Sequence, residues 1–348
     1  MTTFDPNGVG ISNGNIFGFP VNKEEASIVL FGIPWDVTAS YGKGTANAPD
    51  AILEASTQLD FYHPKLENAF ETKVYLESIN KVWKKRNIEL LPKAIEYIDF
   101  IEKGGKVEDS FTFSSFLDLV NRTQLELKQE YKTKVLEQIE KGKLVGIIGG
   151  EHSTPLGAIE AFAEKNSFGI LQIDAHADLR KAYEGFHQSH ASIMYNAIQL
   201  ENVTKLVQVG IRDIAQVEID LIEKNEKIHT FFDWDIKEKS FIGQTWQKQV
   251  NQIIAALPQK VYISFDADGL RPELCLNTGT PVPGGFSLEE VNYLIFEVVH
   301  SGREIIGFDL NEVGVSEETD WDANVGARAL WNLVCAAELS RRNKNGLV

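Results

Sequence analysis

The chain has 348 residues, 43% of them hydrophobic, and carries a formal net charge of -16. That size and apolar share support one large α/β domain or two smaller ones, each with a buried core. The acidic balance argues against nucleic acid as a partner, because phosphates need basic patches. It suits a small cationic ligand drawn by negative potential, or simply an acidic surface that keeps the protein in solution.

No apolar stretch reaches the ~18 residues that a bilayer span requires. The segment from Met1 to Gly8 lacks the basic and apolar regions of a secretion signal. The two cysteines, Cys275 and Cys335, are far apart and fit buried free thiols in a reducing cytoplasm. The expectation is therefore a cytoplasmic protein with no membrane partner.

Short apolar runs predict buried strands at 27–33, 144–148, 168–173, 205–210, 261–265 and 304–308. They lack clean alternation, as strands covered on both faces do. Amphipathic stretches at 124–141, 154–165, 214–225, 246–257, 288–300 and 327–342 predict helices. Strands alternating with helices imply an α/β fold with a mostly parallel sheet and helices on both faces. Residues 57–141 differ. They are rich in Lys, Glu and aromatics, with helical patches near 87–101 and 113–142 joined by the turn-like 103–106. This segment reads as a helical elaboration of a single domain spanning 1–348.

Three clusters each close an apolar run and together hold six candidate metal ligands: His152, next to Glu151; Asp174, His176 and Asp178; and Asp266 and Asp268. In an open parallel sheet, ligands bind beyond the carboxyl ends of the strands, so all three clusters belong on one edge. The i, i+2, i+4 spacing of Asp174, His176 and Asp178 aims them to one side if the backbone is extended, and the same holds for Asp266 and Asp268. Two imidazoles and four carboxylates exceed what one zinc ion uses and suit two oxygen-favouring cations such as manganese. A paired metal site generates hydroxide at neutral pH and so points to a hydrolase. Gly149-Gly150 predicts a tight turn and not a phosphate loop, since no Gly-Lys-Ser or Gly-Lys-Thr follows. His63, His229 and His300 lack ligand spacing and read as structural or surface residues.

These motifs, GGEHS, DAHAD and SFDADGLRPE, resemble those of the ureohydrolase family of arginases and agmatinases. So do the segments 32–36, 44–49, 279–285 and 307–313, and the likeness runs from about Val29 to Ala336. The resemblance implies a three-layer α/β/α sandwich and two Mn2+ per chain. It places His152, Asp174, Asp178 and Asp266 on one ion, and His176, Asp174, Asp266 and Asp268 on the other. A hydroxide shared by the ions attacks a guanidinium carbon in the family, releasing urea and an amine. Glu312 stands where the family binds the guanidinium. His190 stands where it moves a proton, a task that suits a near-neutral histidine. His187, three residues away, is a weaker candidate for that task.

The wording around Asp178-Leu-Arg180 and Tyr183-Glu-Gly185 is closest to agmatinases. Agmatine, giving putrescine, is the expected substrate, with arginine the nearest rival. Formimidoylglutamate is third, because the DAHxDLR wording is shared with that branch, and guanidino acids stay open, because Arg180 either pairs with a substrate carboxylate or is structural. A zinc deacetylase of related fold and a non-catalytic binding protein are the readings from other classes; the complete ligand set disfavours both. The chain departs from the family pattern at Glu151 and Arg271, where aspartates are usual. Relatives commonly form trimers or hexamers, so a homo-oligomer is expected.

Overall fold

The structure, a computed structural model, describes residues 4–346. Eight strands form one sheet: β1 (Ile28–Gly32), β2 (Val74–Glu77), β3 (Leu144–Ile148), β4 (Phe168–Ile173), β5 (Val203–Ile211), β6 (Ile228–Phe232), β7 (Lys260–Asp266) and β8 (Glu304–Asn311). Their order is β2-β1-β3-β8-β7-β4-β5-β6, and every pairing is parallel. Among the described residues, ten α-helices accompany them: α1 (Ala48–Ser56), α2 (Lys81–Glu102), α3 (Phe111–Glu140), α4 (Leu156–Lys165), α5 (Ile193–Ile198), α6 (Gln216–Lys224), α7 (Asp233–Phe241), α8 (Trp246–Ala255), α9 (Leu288–His300) and α10 (Trp321–Lys344).

Successive strand residues point to opposite faces, and the cores divide accordingly. Ile28, Leu30, Leu171, Ile263 and Phe308 pack with α1, α8, α9 and α10. Val29, Phe31, Ile170, Tyr262 and Ile306 pack with α3, α4 and α5 on the other side. The result is a three-layer α/β/α sandwich with a wholly parallel sheet. Parallel strands buried on both faces favour apolar residues on both, which explains their largely hydrophobic runs; buried exceptions such as Gln172, Gln208, Ser264 and Asp309 lie toward the carboxyl ends.

Two strands escape the hydrophobic-run criterion. β2 is short and half-buried, and it lies inside the segment expected to be helical; β6 is the opposite edge and is only partly covered. Edge strands need less apolar sequence than central ones. The helical elaboration proper is the α2–α3 hairpin. Asn80 caps α2 by accepting from the Val82 and Trp83 amides, and Ser110 caps α3 by accepting from Phe113. The hairpin is braced by an Arg86–Glu126 ion pair at 2.6 Å and by the Trp83 indole donating to Glu130 at 2.8 Å.

The four central strands set the position of the polar clusters. Ile148 pairs with Leu310, Leu310 with Phe265, and Phe265 with Ile173, so β3, β8, β7 and β4 end in one row. All the candidate ligands leave the sheet just beyond it.

Candidate metal centre

After β3 the chain turns within a space that admits no side chain. A Cβ on Gly149 would strike the Asn311 side chain, and one on Gly150 would strike the Trp35 carbonyl. The Glu151 amide then donates to that carbonyl at 2.9 Å, which delivers His152 into the centre of the row. Its Nε2 lies 2.8 Å from Ser264 Oγ, and that hydroxyl donates to Asp309 Oδ1 at 2.9 Å. With its own proton committed to Asp309, Ser264 accepts from Nε2–H. Nδ1 is therefore the nitrogen whose lone pair a metal ion would take.

That lone pair faces Asp174, Asp178 and Asp266 oxygens at 3.1, 3.0 and 3.2 Å. His176 Nδ1 lies 2.9 Å from Asp268 Oδ2 and 3.7 Å from Asp174 Oδ1. Imidazole nitrogens and carboxylates converging in a buried space are stabilised by a cation between them, a proton or a metal ion. His152, Asp174 and Asp266 form one group able to hold a metal ion; Asp174, His176 and Asp268 form a second. Asp174 is common to both, and Asp178 joins the first through its contact with His152 Nδ1. The donor set of imidazole nitrogen and carboxylate oxygen fits manganese.

The route by which these side chains converge differs from the extended-backbone expectation. Asp178 has φ 55°, in the left-handed region. Asp268 sits in a 3-10 turn whose amide donates to Asp266 Oδ1 at 2.9 Å. The ligands thus meet through tight turns and not through continued strands. Glu184 and Glu312, at φ 53° and 57°, are also left-handed, an unfavourable conformation for such side chains that gathers at functional sites.

Electrostatics mark the same place. Burial pushes Asp174 and Asp266 above the usual carboxylate range, helped by the negative charge of their neighbours. Asp178 is pushed up to about 8, by burial and then by Asp174. For Asp268 burial acts the same way, but the charge and hydrogen bond of His176 win and hold it below its ordinary value.

Glu312 is buried beside the cage. Its Oε1 accepts from the His152 amide at 2.8 Å, while Oε2 has no partner. That oxygen faces Gly279, where an added Cβ would stand only 3.1 Å away. Burial and the nearby Glu151 push its pKa up. His190 approaches Ser40 Oγ through Nε2 at 3.3 Å, and its Nδ1 is buried without a partner. Burial and the charges of His176 and Lys43 drive its pKa down to about 3, far from the near-neutral value expected. The resting His190 is a neutral imidazole. A cavity of about 390 Å³ opens over His176, Asp178, Arg180, Tyr183 and His190.

Arg180 lines that cavity, yet its Nε donates to Glu218 at 3.1 Å, and Glu218 also accepts the Leu179 and Ala215 amides. His187 does not reach the cavity. Its side chain is exposed, and its backbone is tied to Asn121, Ser192 and Asn196. Glu151 points away from the cage and accepts from Thr38 and Ser153. Arg271 pairs with Glu290 at 3.3 Å in a surface loop.

Sequence reasoning passed over several residues that the structure gathers here. Ser264 and Asp309 orient His152, and both lie inside the motif segments 264–273 and 307–313. Glu184 lies inside the Tyr183-Glu-Gly185 wording, whereas Lys43 had no such signal. Lys43 Nζ is buried without a partner; burial lowers its pKa, opposed by the charges of Glu151, Asp36, Glu184 and Glu312. Burial lifts Glu184 to about 7, with Lys43 acting against it, and one of its oxygens is also unpartnered.

The model of the Arginase family matches residues 26–336. The chain belongs to the arginase family. It is a ureohydrolase of that family by descent, as the named relatives show. It is 30% identical over 296 residues to the N(1)-aminopropylagmatine ureohydrolase of Synechocystis, covering 83% of this chain and 82% of the relative. It is 27% identical to the agmatinase of Bacillus subtilis, covering 88% and 90%. Among solved structures it superposes on the agmatine ureohydrolase of Thermoplasma volcanium with a TM-score of 0.70 at 22% identity, covering 94% and 96%. A formiminoglutamase of Trypanosoma cruzi solved with Mn2+ has a TM-score of 0.68 at 15% identity. The arginase-family fold accounts for the parallel sheet and for the row of loops at its carboxyl end.

Proposed function

We propose that this protein hydrolyses a linear guanidino compound to urea and an amine, using two Mn2+ ions held by His152, Asp174, His176, Asp178, Asp266 and Asp268. The observation that carries the reading is the pair of ligand groups sharing Asp174. Bound, such an ion pair supplies hydroxide at neutral pH. The protein's own residues orient the substrate. A guanidinium is a weak electrophile that must be fixed against the nucleophile. The unpartnered Oε2 of Glu312 is a charge-assisted acceptor for it, and the bare Gly279 leaves the space. His190 is placed to carry a proton to the leaving nitrogen. Being neutral at rest, it takes that proton up before it delivers it.

Agmatine is the first substrate to assay, supported by relatives named agmatinase and aminopropylagmatine ureohydrolase. One observation favours a second reading, a guanidino acid: the Lys43 ammonium is buried near Glu312 with no anion bonded to it. Arg180 contributes less to that reading, since Glu218 already neutralises it. The test is urea release with added Mn2+ from agmatine, aminopropylagmatine, arginine and 4-guanidinobutyrate. Release from none of them overturns the proposal. We further propose a cytoplasmic homo-oligomer acting on a small substrate, with no nucleic-acid partner. Among the described residues no helix is long and apolar enough to cross a membrane.

A further inference from the structure

The α2–α3 hairpin supplies no candidate metal ligand, yet it grips the loop that carries Glu184 and His190. The Tyr97 hydroxyl, on α2, donates to the Glu184 carbonyl at 2.7 Å. Asn121, on α3, donates to the Gly185 carbonyl at 3.3 Å and accepts from the His187 amide at 3.0 Å. One turn along, the buried Gln124 donates to the Gln188 carbonyl. The bonds fall on residues 184, 185, 187 and 188. They converge from two helices on a turn held otherwise by its own Tyr183–Phe186 bonds and by Ser192 and Asn196 on the His187 carbonyl.

That turn is costly to form. Glu184 and Gly185 are both left-handed, at φ 53° and 83°, between Tyr183 and Phe186, which bond each other's backbones. A glutamate does not keep such a conformation unless its surroundings impose it. The hairpin supplies that constraint, and Phe186 seats it by packing on the Tyr97 ring at 5.2 Å between centroids. Beyond the gripped stretch, Ser189 and Ser192 bond each other and start the short turn at His190, which meets Ser40 across the site.

We infer that the α2–α3 hairpin is a positioning element for this site: through Tyr97, Asn121 and Gln124 it fixes the 183–190 loop, and with it the reach of His190 and Glu184 toward the substrate. The kinetic part of this inference rests on the ureohydrolase reading; the structural part does not. None of the three lines the cavity over the cage or bonds a candidate metal ligand, so they act through the loop. A hairpin that merely completes the core would need no polar bonds to loop backbone. Here its buried and half-buried polar side chains are spent on those bonds.

The test uses the full-length, manganese-loaded protein and the Asn121→Ala/Gln124→Met double variant. Three quantities are read: kcat and KM for the best guanidino substrate, bound manganese per chain, and amide hydrogen exchange across 183–190. With three loop bonds gone, kcat is expected to fall about tenfold or more, while KM changes by less than about threefold. Loop exchange is expected to speed by roughly 10- to 100-fold, and manganese content to stay at the wild-type value. Asn121→Asp, which keeps the acceptor for the His187 amide, should recover part of the lost kcat. Tyr97→Phe, which removes only a hydroxyl, takes the place of the double variant should that variant lose its metal, and is judged by the same criteria. Wild-type kcat in the altered protein overturns the inference. Should the wild-type chain release urea from no compound, the ureohydrolase reading falls separately. Loop exchange then decides: faster exchange supports the clamp and unchanged exchange overturns it.

Discussion

Thr38 closes on Glu151 with two bonds, its amide donating to Oε2 at 2.8 Å and its hydroxyl donating to Oε1 at 2.5 Å. The acid that departs from the family pattern thus reaches out of the cage to hold the 38–44 loop. That loop brings Ser40 to His190 and Lys43 into the site. Glu151→Asp shortens the reach by one methylene. The expected result is unchanged manganese content with kcat/KM lowered about tenfold, and a stability loss of about 1–2 kcal/mol. Loss of metal in that variant would show that Glu151 serves the cage and not the loop.

Asp174 belongs to both ligand groups and Asp268 to one. Asp174→Asn should therefore empty both positions, whereas Asp268→Asn should leave about one Mn2+ per chain. In each, activity should fall by more than about 100-fold. Metal analysis beside urea assays checks both; two ions retained in Asp174→Asn would refute the shared ligand.

Glu312 is held above its ordinary pKa by burial, so its charge costs stability in the metal-free protein. Glu312→Gln should leave melting temperature equal or slightly higher. Catalytic efficiency should drop roughly 10- to 100-fold through loss of a charged acceptor for the guanidinium. Unchanged kinetics would remove Glu312 from the site.

Removing metal makes stability depend on pH with a defined sign. Asp178, Glu151 and Asp309 have folded values of about 8, 7 and 6, all raised chiefly by burial above their ordinary carboxylate values. The folded chain therefore binds more protons than the unfolded one between about pH 4 and 8. Their contribution is fully present below pH ~4 and is lost as pH rises through the folded values. Chelated protein should melt at progressively lower temperature from pH 5 to 8, and added Mn2+ should restore more at pH 8 than at pH 5. Melting curves with and without chelator read this directly. A chelated protein that gains stability over that range contradicts the burial of these acids.

Lys43 offers the sharpest test of tail preference. Lys43→Met should lower turnover of 4-guanidinobutyrate about 10- to 100-fold if the ammonium receives its carboxylate, while agmatine turnover holds or rises. Equal effects on both compounds would make the lysine structural.

Much of the fold was legible because each central strand is a predominantly apolar run, and each run ends in a polar cluster. The edge strands β2 and β6 were hidden because one open side relaxes the demand for hydrophobic residues. The cage was legible in kind but not in path. Spacing suggested extended backbone at Asp178 and Asp268, where the chain turns sharply in response to hydrogen bonds that spacing does not encode. His187 and His190 differ for a similar reason. The loop bonds to Asn121 and Asn196 send one imidazole out to solvent, and the Ser189–Ser192 turn carries the other inward. Lys43 and Glu184 come from segments 141 positions apart and become neighbours only once the sheet brings their loops to one end.

The register shared by β3, β8, β7 and β4 divides the labour of the molecule. The reactive groups descend from the stiff middle of the sheet, where each strand is wedged between two others and a shift in one disturbs all four. The residues that would judge a substrate's tail hang from loops braced by peripheral parts, the hairpin above all. Such a layout lets new substrate tastes arise by remodelling the margins, while the chemistry at the centre passes unchanged from one descendant to the next.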